Sequence, residues 1–248
     1  MSLIILKKIL FGPIWLIRMM RINSQARKYR RTPDMLTEQQ RNDFLLKYAK
    51  KLLKLYRVKV EVQGYDNLPN NGGVILTPNH KSNADALIML QALEKQSYEQ
   101  SEVNKIPTFI AKQELLKKRL IRNAMSLIDT FAIDRNNFRQ SLEVLGEFGR
   151  FVKMNKTYGV IFPEGTRVST PNELGEFKGG AFKVAQNEFL QVVPVTISNS
   201  SEAFNSKRAK KLVVTVTFHK PIKPMDFIGQ EPKAVGERVR KIVESEIK

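Results

Sequence analysis

Val74-Ile-Leu-Thr-Pro-Asn-His-Lys-Ser-Asn-Ala-Asp85 runs from an apolar tetrad, through a polar loop, into a stretch of helical spacing. Val74–Thr77 reads as a strand opened by the turn Pro69-Asn-Asn-Gly-Gly73, and Asp85–Gln96 reads as a helix. The same alternation extends outward. Upstream, Thr37-Glu-Gln-Gln40 is a capping box opening a helix to about Leu55, and Val58–Val62 is a strand. Downstream, strands are predicted at Thr108–Ala111, Phe131–Ile133, Tyr158–Phe162, Val192–Ile197 and Leu212–Phe218. Helices are predicted between and after them at Gln113–Arg122, Phe138–Lys153, Gly180–Glu188 and Ala234–Ile247. This alternation argues for an α/β fold with a mixed, largely parallel sheet flanked by helices. There is no internal repeat. The expected organisation is an N-terminal helical segment, residues 1–55, on one α/β domain, residues 56–248.

The 248 residues carry 42 Lys+Arg against 24 Asp+Glu, a net charge of +18. With 42% hydrophobic residues and 14 Phe, the chain has the material for a packed core. It has no cysteine, which excludes disulfides, thiol nucleophiles and thiolate metal sites. Its two histidines, His80 and His219, are too few for a three-His zinc site, and no metal or resident cofactor is expected. A basic excess selects a polyanionic partner without saying which one.

The first 22 residues are apolar, yet the longest charge-free run inside them, Ile9–Ile17, is too short for a spanning helix of about 20 residues. No small-residue cleavage site follows, so a signal peptide is not expected. Residues 1–31 hold Lys7, Lys8, Arg18, Arg21, Arg27, Lys28, Arg30 and Arg31 and no acid. On a helical wheel Lys7, Arg18 and Arg21 share one side, while Ile5, Leu6, Ile9, Leu16, Ile17 and Met20 share the other. That is the layout of a basic amphipathic helix lying in a membrane interface, against the alternative of a helix docked on the protein's own core. Thr32-Pro33 ends the segment.

His80 and Asp85 are five positions apart, about 140° out of phase on a continuous helix. They meet only if the segment curls, which Pro78, Ser82 and Asn83 permit. An imidazole backed by a carboxylate is a general base of fixed tautomer; the alternative is a structural histidine. Phe162-Pro-Glu-Gly-Thr-Arg167 follows another apolar strand, at the kind of strand end where α/β folds place ligands. Gly165 allows close approach of backbone, and Arg167 can grip a phosphate through paired donors. Lys112, Arg135 and Lys178 sit at further strand exits or helix starts.

Together these residues resemble the glycerophosphate acyltransferase family, and most closely its bacterial 1-acylglycerol-3-phosphate acyltransferases. The resemblance covers about residues 74–198 in motif order. Asn79-His80 with Asp85 is similar to the family's His-x4-Asp block. Phe131–Arg135 with Asn136-Asn137 is similar to its second block, which usually opens with glycine where this chain has Asp129. Phe162–Arg167 is similar to the Glu-Gly-Thr-Arg block and Val193-Pro194-Val195 to the fourth; Lys112 and Lys178 also fall on family positions. The resemblance implies direct acyl transfer from a thioester to the hydroxyl of lysophosphatidic acid. His80 would be the base and Asp85 its support. Lys112, Arg135 and Arg167 would hold the acceptor's phosphate, Glu164, Gly165 and Thr166 would shape the site, and Lys178 would bind substrate. The acyl donor would be acyl carrier protein or coenzyme A acting as co-substrate. An anionic membrane surface on the cytoplasmic face of the cell membrane would be the setting, with the enzyme peripheral or monotopic. The absence of Cys and of a Gly-x-Ser-x-Gly elbow agrees with a mechanism that needs no covalent acyl-enzyme.

Three readings compete. A transferase acting on glycerol-3-phosphate or another lysophospholipid would share every motif. A hydrolase would need a serine nucleophile for which no elbow exists. A non-catalytic basic membrane- or RNA-binding module would explain the charge alone. No nucleic acid is expected, because Lys207-Arg-Ala-Lys-Lys211 lacks the interleaved aromatics of a stacking platform. That cluster reads as a solvated loop or a contact for acidic acyl carrier protein. His219 is assigned no role.

Overall fold

The computed structural model describes residues 2–97, 102–168, 170 and 173–247. Its frame is a sheet of strands β1 (Val58–Gln63), β2 (Val74–Pro78), β3 (Pro107–Lys112), β4 (Phe131–Ile133), β5 (Tyr158–Val160), β6 (Gln191–Ser198) and β7 (Leu212–Phe218). The spatial order is β1-β7-β6-β2-β5-β3-β4. Among the described residues only β6 and β7 pair antiparallel; the other neighbours run parallel. The expected α/β architecture with a mixed, largely parallel sheet is the one observed.

The helices are α1 (Leu3–Leu10), α2 (Gly12–Arg31), α3 (Glu38–Leu55), α4 (Asp85–Ala92), α5 (Arg119–Leu127), α6 (Phe138–Asn155), α7 (Gly180–Glu188) and α8 (Pro232–Glu244). Strand β2 shows how they cover the sheet. Val74 and Leu76 enter a core with Leu53 of α3 and Ile88 and Met89 of α4. Ile75, between them, enters a second core with Phe148 of α6, Phe182 of α7 and Val239 of α8. Side chains alternate at period two, so a central strand covered on both faces is apolar without interruption.

Three elements differ from expectation. The N-terminal apolar stretch is not one helix: it breaks at Phe11 (φ −95°, ψ 6°), because Gly12 and Pro13 open α2 and proline has no N–H to continue the helix before it. The helix predicted over Gln113–Arg122 is a 3₁₀ turn, Gln113–Lys117, then an extended Lys118, then α5. Packing sets that frame: Leu120, Ala124 and Leu127 of α5 join Ile22 and Ala26 of α2 and Leu45 and Ala49 of α3 in a third cluster. Helix α4 stops at Ala92 rather than Gln96, where the Leu93 carbonyl takes the Lys105 N–H at 3.1 Å. The Thr37/Gln40 capping box is present as expected.

Candidate active site

Strands β2, β5, β3 and β4 are adjacent and parallel, so their carboxyl ends share one edge. The pairings Leu76↔Val160, Phe109↔Val160 and Lys112↔Ile133, continued a few residues, bring Asn79, Pro163, Lys112 and Ile133 to one level. At about 4.8 Å per strand the four exits span about 14 Å. His80 follows the first, Glu164–Arg167 the second, Lys112 ends the third and Arg135 follows the fourth. This is where α/β sheets expose their loops to ligands.

The curl required of residues 79–85 is present. His80 Nδ1 lies 2.9 Å from Asp85 Oδ2, and the same oxygen accepts the backbone N–H groups of Lys81 and Ser82, each at 2.7 Å. Asp85 is fully buried, whereas the His80 side chain is 21% exposed. A carboxylate oxygen already taking two backbone N–H groups is an acceptor, and it fixes the Nδ1–H tautomer of His80. Nε2 is thereby left as the basic nitrogen, on the ring edge away from Asp85. The ring is steadied by Phe162, stacked at 4.3 Å and 28°.

The surrounding loops are braced on this pair. Glu164 is buried; one carboxylate oxygen accepts His80 N–H at 2.7 Å and the other accepts Gly175 N–H at 2.9 Å. Its carboxylate therefore ties the second loop to the histidine's own backbone. Val168 N–H donates back to the His80 carbonyl at 3.0 Å. Gly165 adopts φ +68°, and a Cβ there would lie 3.3 Å from Lys178 Nζ, so the Lys178 side chain crosses directly over it. Lys178 N–H is held by the Pro163 carbonyl at 3.0 Å.

Thr166, Arg167, Lys112, Arg135 and Lys178 are exposed. Arg167, Lys112 and Lys178 have no acidic partner among the described residues. Arg135 stands on a turn knitted by Asp134, whose carbonyl takes Asn137 N–H and whose side chain takes Asn136 N–H. Partial desolvation by its neighbours lowers the Arg135 pKa, and the charge of Glu114 opposes the shift. The structure thus joins His80, Asp85 and Glu164 by hydrogen bonds, lays Lys178 over Gly165 beside them, and sets Lys112, Arg135 and Arg167 along the same edge. No cluster able to hold a metal ion occurs among the described residues.

Two groups at the site were given no role of their own by sequence reading. Lys81 is buried, and its ammonium donates to the carbonyls of Thr170 (2.8 Å) and Glu173, tying these two residues to the backbone beside His80. Burial lowers its pKa against the pull of Glu164, Glu173 and Asp85. Asn79 bridges β2 to β6, giving its amide to the Ile197 carbonyl (3.0 Å) and accepting Ile197 N–H (2.7 Å). Its place beside His80 in the motif was the available signal; a lysine such as Lys81 gives none, because lysines ordinarily face water.

Residues 59–198 match the family model described as Acyltransferase. The chain belongs to the acyltransferase family. The resemblance seen in the sequence is therefore borne out, and the protein is an acyltransferase enzyme. It is 33% identical over 246 residues, 95% of this chain and 88% of the other, to a probable 1-acyl-sn-glycerol-3-phosphate acyltransferase of Mycoplasma pneumoniae. It is 26% identical to the 1-acyl-sn-glycerol-3-phosphate acyltransferase of Salmonella typhimurium, over 79% of this chain and 76% of that one. Its fold is like that of the lysophosphatidic acid acyltransferase PlsC of Thermotoga maritima, with a TM-score of 0.64 at 21% identity over 93% of both chains. The four exits described above belong to this acyltransferase frame.

Proposed function

We propose that this acyltransferase moves a fatty acyl group from a thioester to the sn-2 hydroxyl of 1-acyl-sn-glycerol-3-phosphate, making phosphatidic acid for phospholipid synthesis. The observation that carries the mechanism is the buried Asp85 carboxylate on His80 Nδ1 at 2.9 Å. Nε2 takes the hydroxyl proton as the oxygen attacks the thioester carbonyl; the carbon–sulfur bond then breaks, and His80 gives that proton to the departing sulfur, which leaves as the thiol. Lys112, Arg135 and Arg167 supply the charge for the acceptor's phosphate. The substrate rests on the names of the relatives at 33% and 26% identity, and the chemistry on this chain's own site.

The N-terminal segment, residues 1–55, docks this enzyme on the cytoplasmic face of the cell membrane as a peripheral or monotopic protein. The support is an exposed apolar ridge on α1 and α2: Leu6, Ile9, Leu10, Leu16, Ile17 and Met20 face outward. No helix among the described residues is long and apolar enough to cross a membrane. For the donor, acidic acyl carrier protein is favoured by a cleft of about 460 Å³ lined by Lys50, Lys51, Lys54, Arg57, Lys59 and Lys211. The loop holding Lys207–Lys211 folds onto it through Arg57 to the Ala209 carbonyl and Arg208 to the Tyr56 carbonyl.

The test is acyl transfer in lipid vesicles, with acyl carrier protein or coenzyme A thioesters and with lysophosphatidic acid, glycerol-3-phosphate or lysophosphatidylcholine as acceptor. Lysophosphatidic acid alone is expected to be acylated, and His80→Ala to lower the rate about 10²–10⁴-fold. Transfer to another acceptor would move the substrate and leave the mechanism. Lys54→Glu with Lys211→Glu is expected to slow transfer from the carrier protein while leaving transfer from coenzyme A unchanged; equal effects on both would remove the docking surface.

A further inference from the structure

We propose that Asp129 is a positioning residue for the acceptor site. Its carboxylate clasps Arg41 of α3 and Tyr29 of α2, fixing β4, and the Arg135 turn at its far end, to these two helices, the second of which carries part of the exposed apolar ridge. The inference rests on the reading of Arg135 as a ligand of the acceptor's phosphate.

The geometry is unusual at three points. Asp129 adopts φ +46°, in the left-handed region that glycine enters freely and other residues rarely occupy. A glycine would fit the backbone, as the block's usual opening residue does, but a glycine has no carboxylate. Here one carboxylate oxygen takes the Arg41 guanidinium at 2.8 Å and the other takes the Tyr29 hydroxyl at 3.2 Å. Arg41 is buried, donates also to the Leu127 carbonyl at 3.0 Å, and stacks on the Tyr29 ring at 4.2 Å. The clasp thus closes a triangle between α2 (Tyr29), α3 (Arg41) and the α5–β4 junction (Leu127 and Asp129). Helices α2 and α5 are joined as well, by Arg30 to Asn123 at 2.9 Å and Asn123 to Asn23 at 2.7 Å. Glu38 faces the cluster too, and burial together with the Asp129 charge raises its pKa, while Arg41 opposes that rise.

What hangs from the clasp is short. Strand β4 has three residues, all half-buried, and it is the edge strand, paired only with β3 among the described strands. Edge strands held on one side are the easily displaced part of a sheet. The clasp grips β4 at its entry, and Arg135 lies two residues past its exit. Shifting the entry shifts the cation.

The test is steady-state transfer to lysophosphatidic acid in mixed micelles by Asp129→Gly, Asp129→Asn and Tyr29→Phe, each alone and combined with Arg135→Ala. Asp129→Gly relieves the backbone and deletes the clasp; it is expected to raise KM for lysophosphatidic acid about 5–10-fold with kcat within about twofold. Asp129→Asn keeps an acceptor oxygen and tolerates the left-handed backbone, so it falls between. Tyr29→Phe, which leaves the buried ion pair whole, gives about a twofold rise and keeps the test open should the glycine variant not fold. With Arg135→Ala in place none of the three is expected to raise KM further, the mark of coupled residues. A lower melting temperature with unchanged KM, or an equal rise with and without Arg135, would overturn the clasp. If Arg135→Ala alone leaves KM unchanged, the phosphate reading of Arg135 fails instead, and the clasp loses the role assigned to it.

Discussion

At Asp85 three donors converge on Oδ2 while Oδ1 is buried without a partner among the described atoms. This one-sided arrangement makes the residue sensitive to a change that leaves its shape intact. In Asp85→Asn the amide oxygen can accept the Lys81 and Ser82 N–H groups, but no negative charge remains to stabilise imidazolium. His80 Nδ1–H is left with a neutral acceptor in place of a charged one. The expected result is a loss of kcat of up to about 10⁴-fold, the size seen when the aspartate of a Ser-His-Asp triad is changed the same way. Unfolding should remain cooperative, measured by circular dichroism beside the rate. A loss of less than tenfold would mean that the carboxylate serves the loop and not the imidazole. The pairing itself was readable from the His-x4-Asp spacing plus loop-forming residues between. Lys81 and the positive φ of Asp129 were not, because each depends on residues remote in sequence: Thr170 and Glu173 in one case, and Arg41 with Tyr29 in the other.

Among the elements, the end of β7 reaches α8 through Thr196 of β6 and His219, a side chain to which the sequence assigned no role. Thr196 of β6 donates to the Val243 carbonyl at 2.9 Å, so its oxygen accepts from His219 Nε2 at 2.8 Å. Burial lowers the His219 pKa below its usual value, with Glu246 opposing the shift. A histidine whose pKa is lower in the fold than in the unfolded chain binds protons more readily when unfolded. Its contribution is therefore whole above the unfolded value of about 6.5 and is lost as pH falls through that value toward the folded one. Urea unfolding from pH 8 to pH 5 should show a midpoint that declines below about 6.5, and His219→Gln should flatten that part of the curve. An unchanged slope in the variant would assign the decline to other groups. The elements legible in advance were those whose own pattern decides them: β2, β6 and β7 by apolar runs, α3 by its capping box, α6 by the apolar face Leu142, Leu145, Phe148 and Val152. Helix α5 was misframed because Leu120, Ala124 and Leu127 find their partners on α2, about 100 residues earlier, and no local window contains that information.

Across the whole molecule, charge and exposed apolar surface are distributed unequally. Half of the exposed large hydrophobic side chains among the described residues lie between Leu3 and Met20. Ile9 is 66%, Leu10 67% and Leu16 56% exposed, an apolar concentration that a water-facing surface rarely carries without a partner. Cations flank it: Lys51 has a lowered pKa, from desolvation first and then from Arg18, Lys47 and Arg21 crowded nearby. The two features act differently on membrane binding. Each cation near an anionic surface contributes about 1 kcal/mol at low salt, and screening shortens its reach from about 8 Å at 0.15 M to about 3 Å at 1 M. Apolar insertion is not screened. Sedimentation with anionic vesicles should therefore fall as salt rises and then level off at a residual set by the apolar ridge. Ile9→Glu with Leu16→Glu should abolish that residual at 1 M salt while leaving part of the binding at 0.15 M. The melting temperature should hardly move, because both side chains already face solvent and their replacement opens no cavity. Binding of the double variant equal to the unaltered protein at 1 M salt would show that the ridge does not enter the bilayer. A melting temperature that fell by many degrees would instead place the ridge against protein.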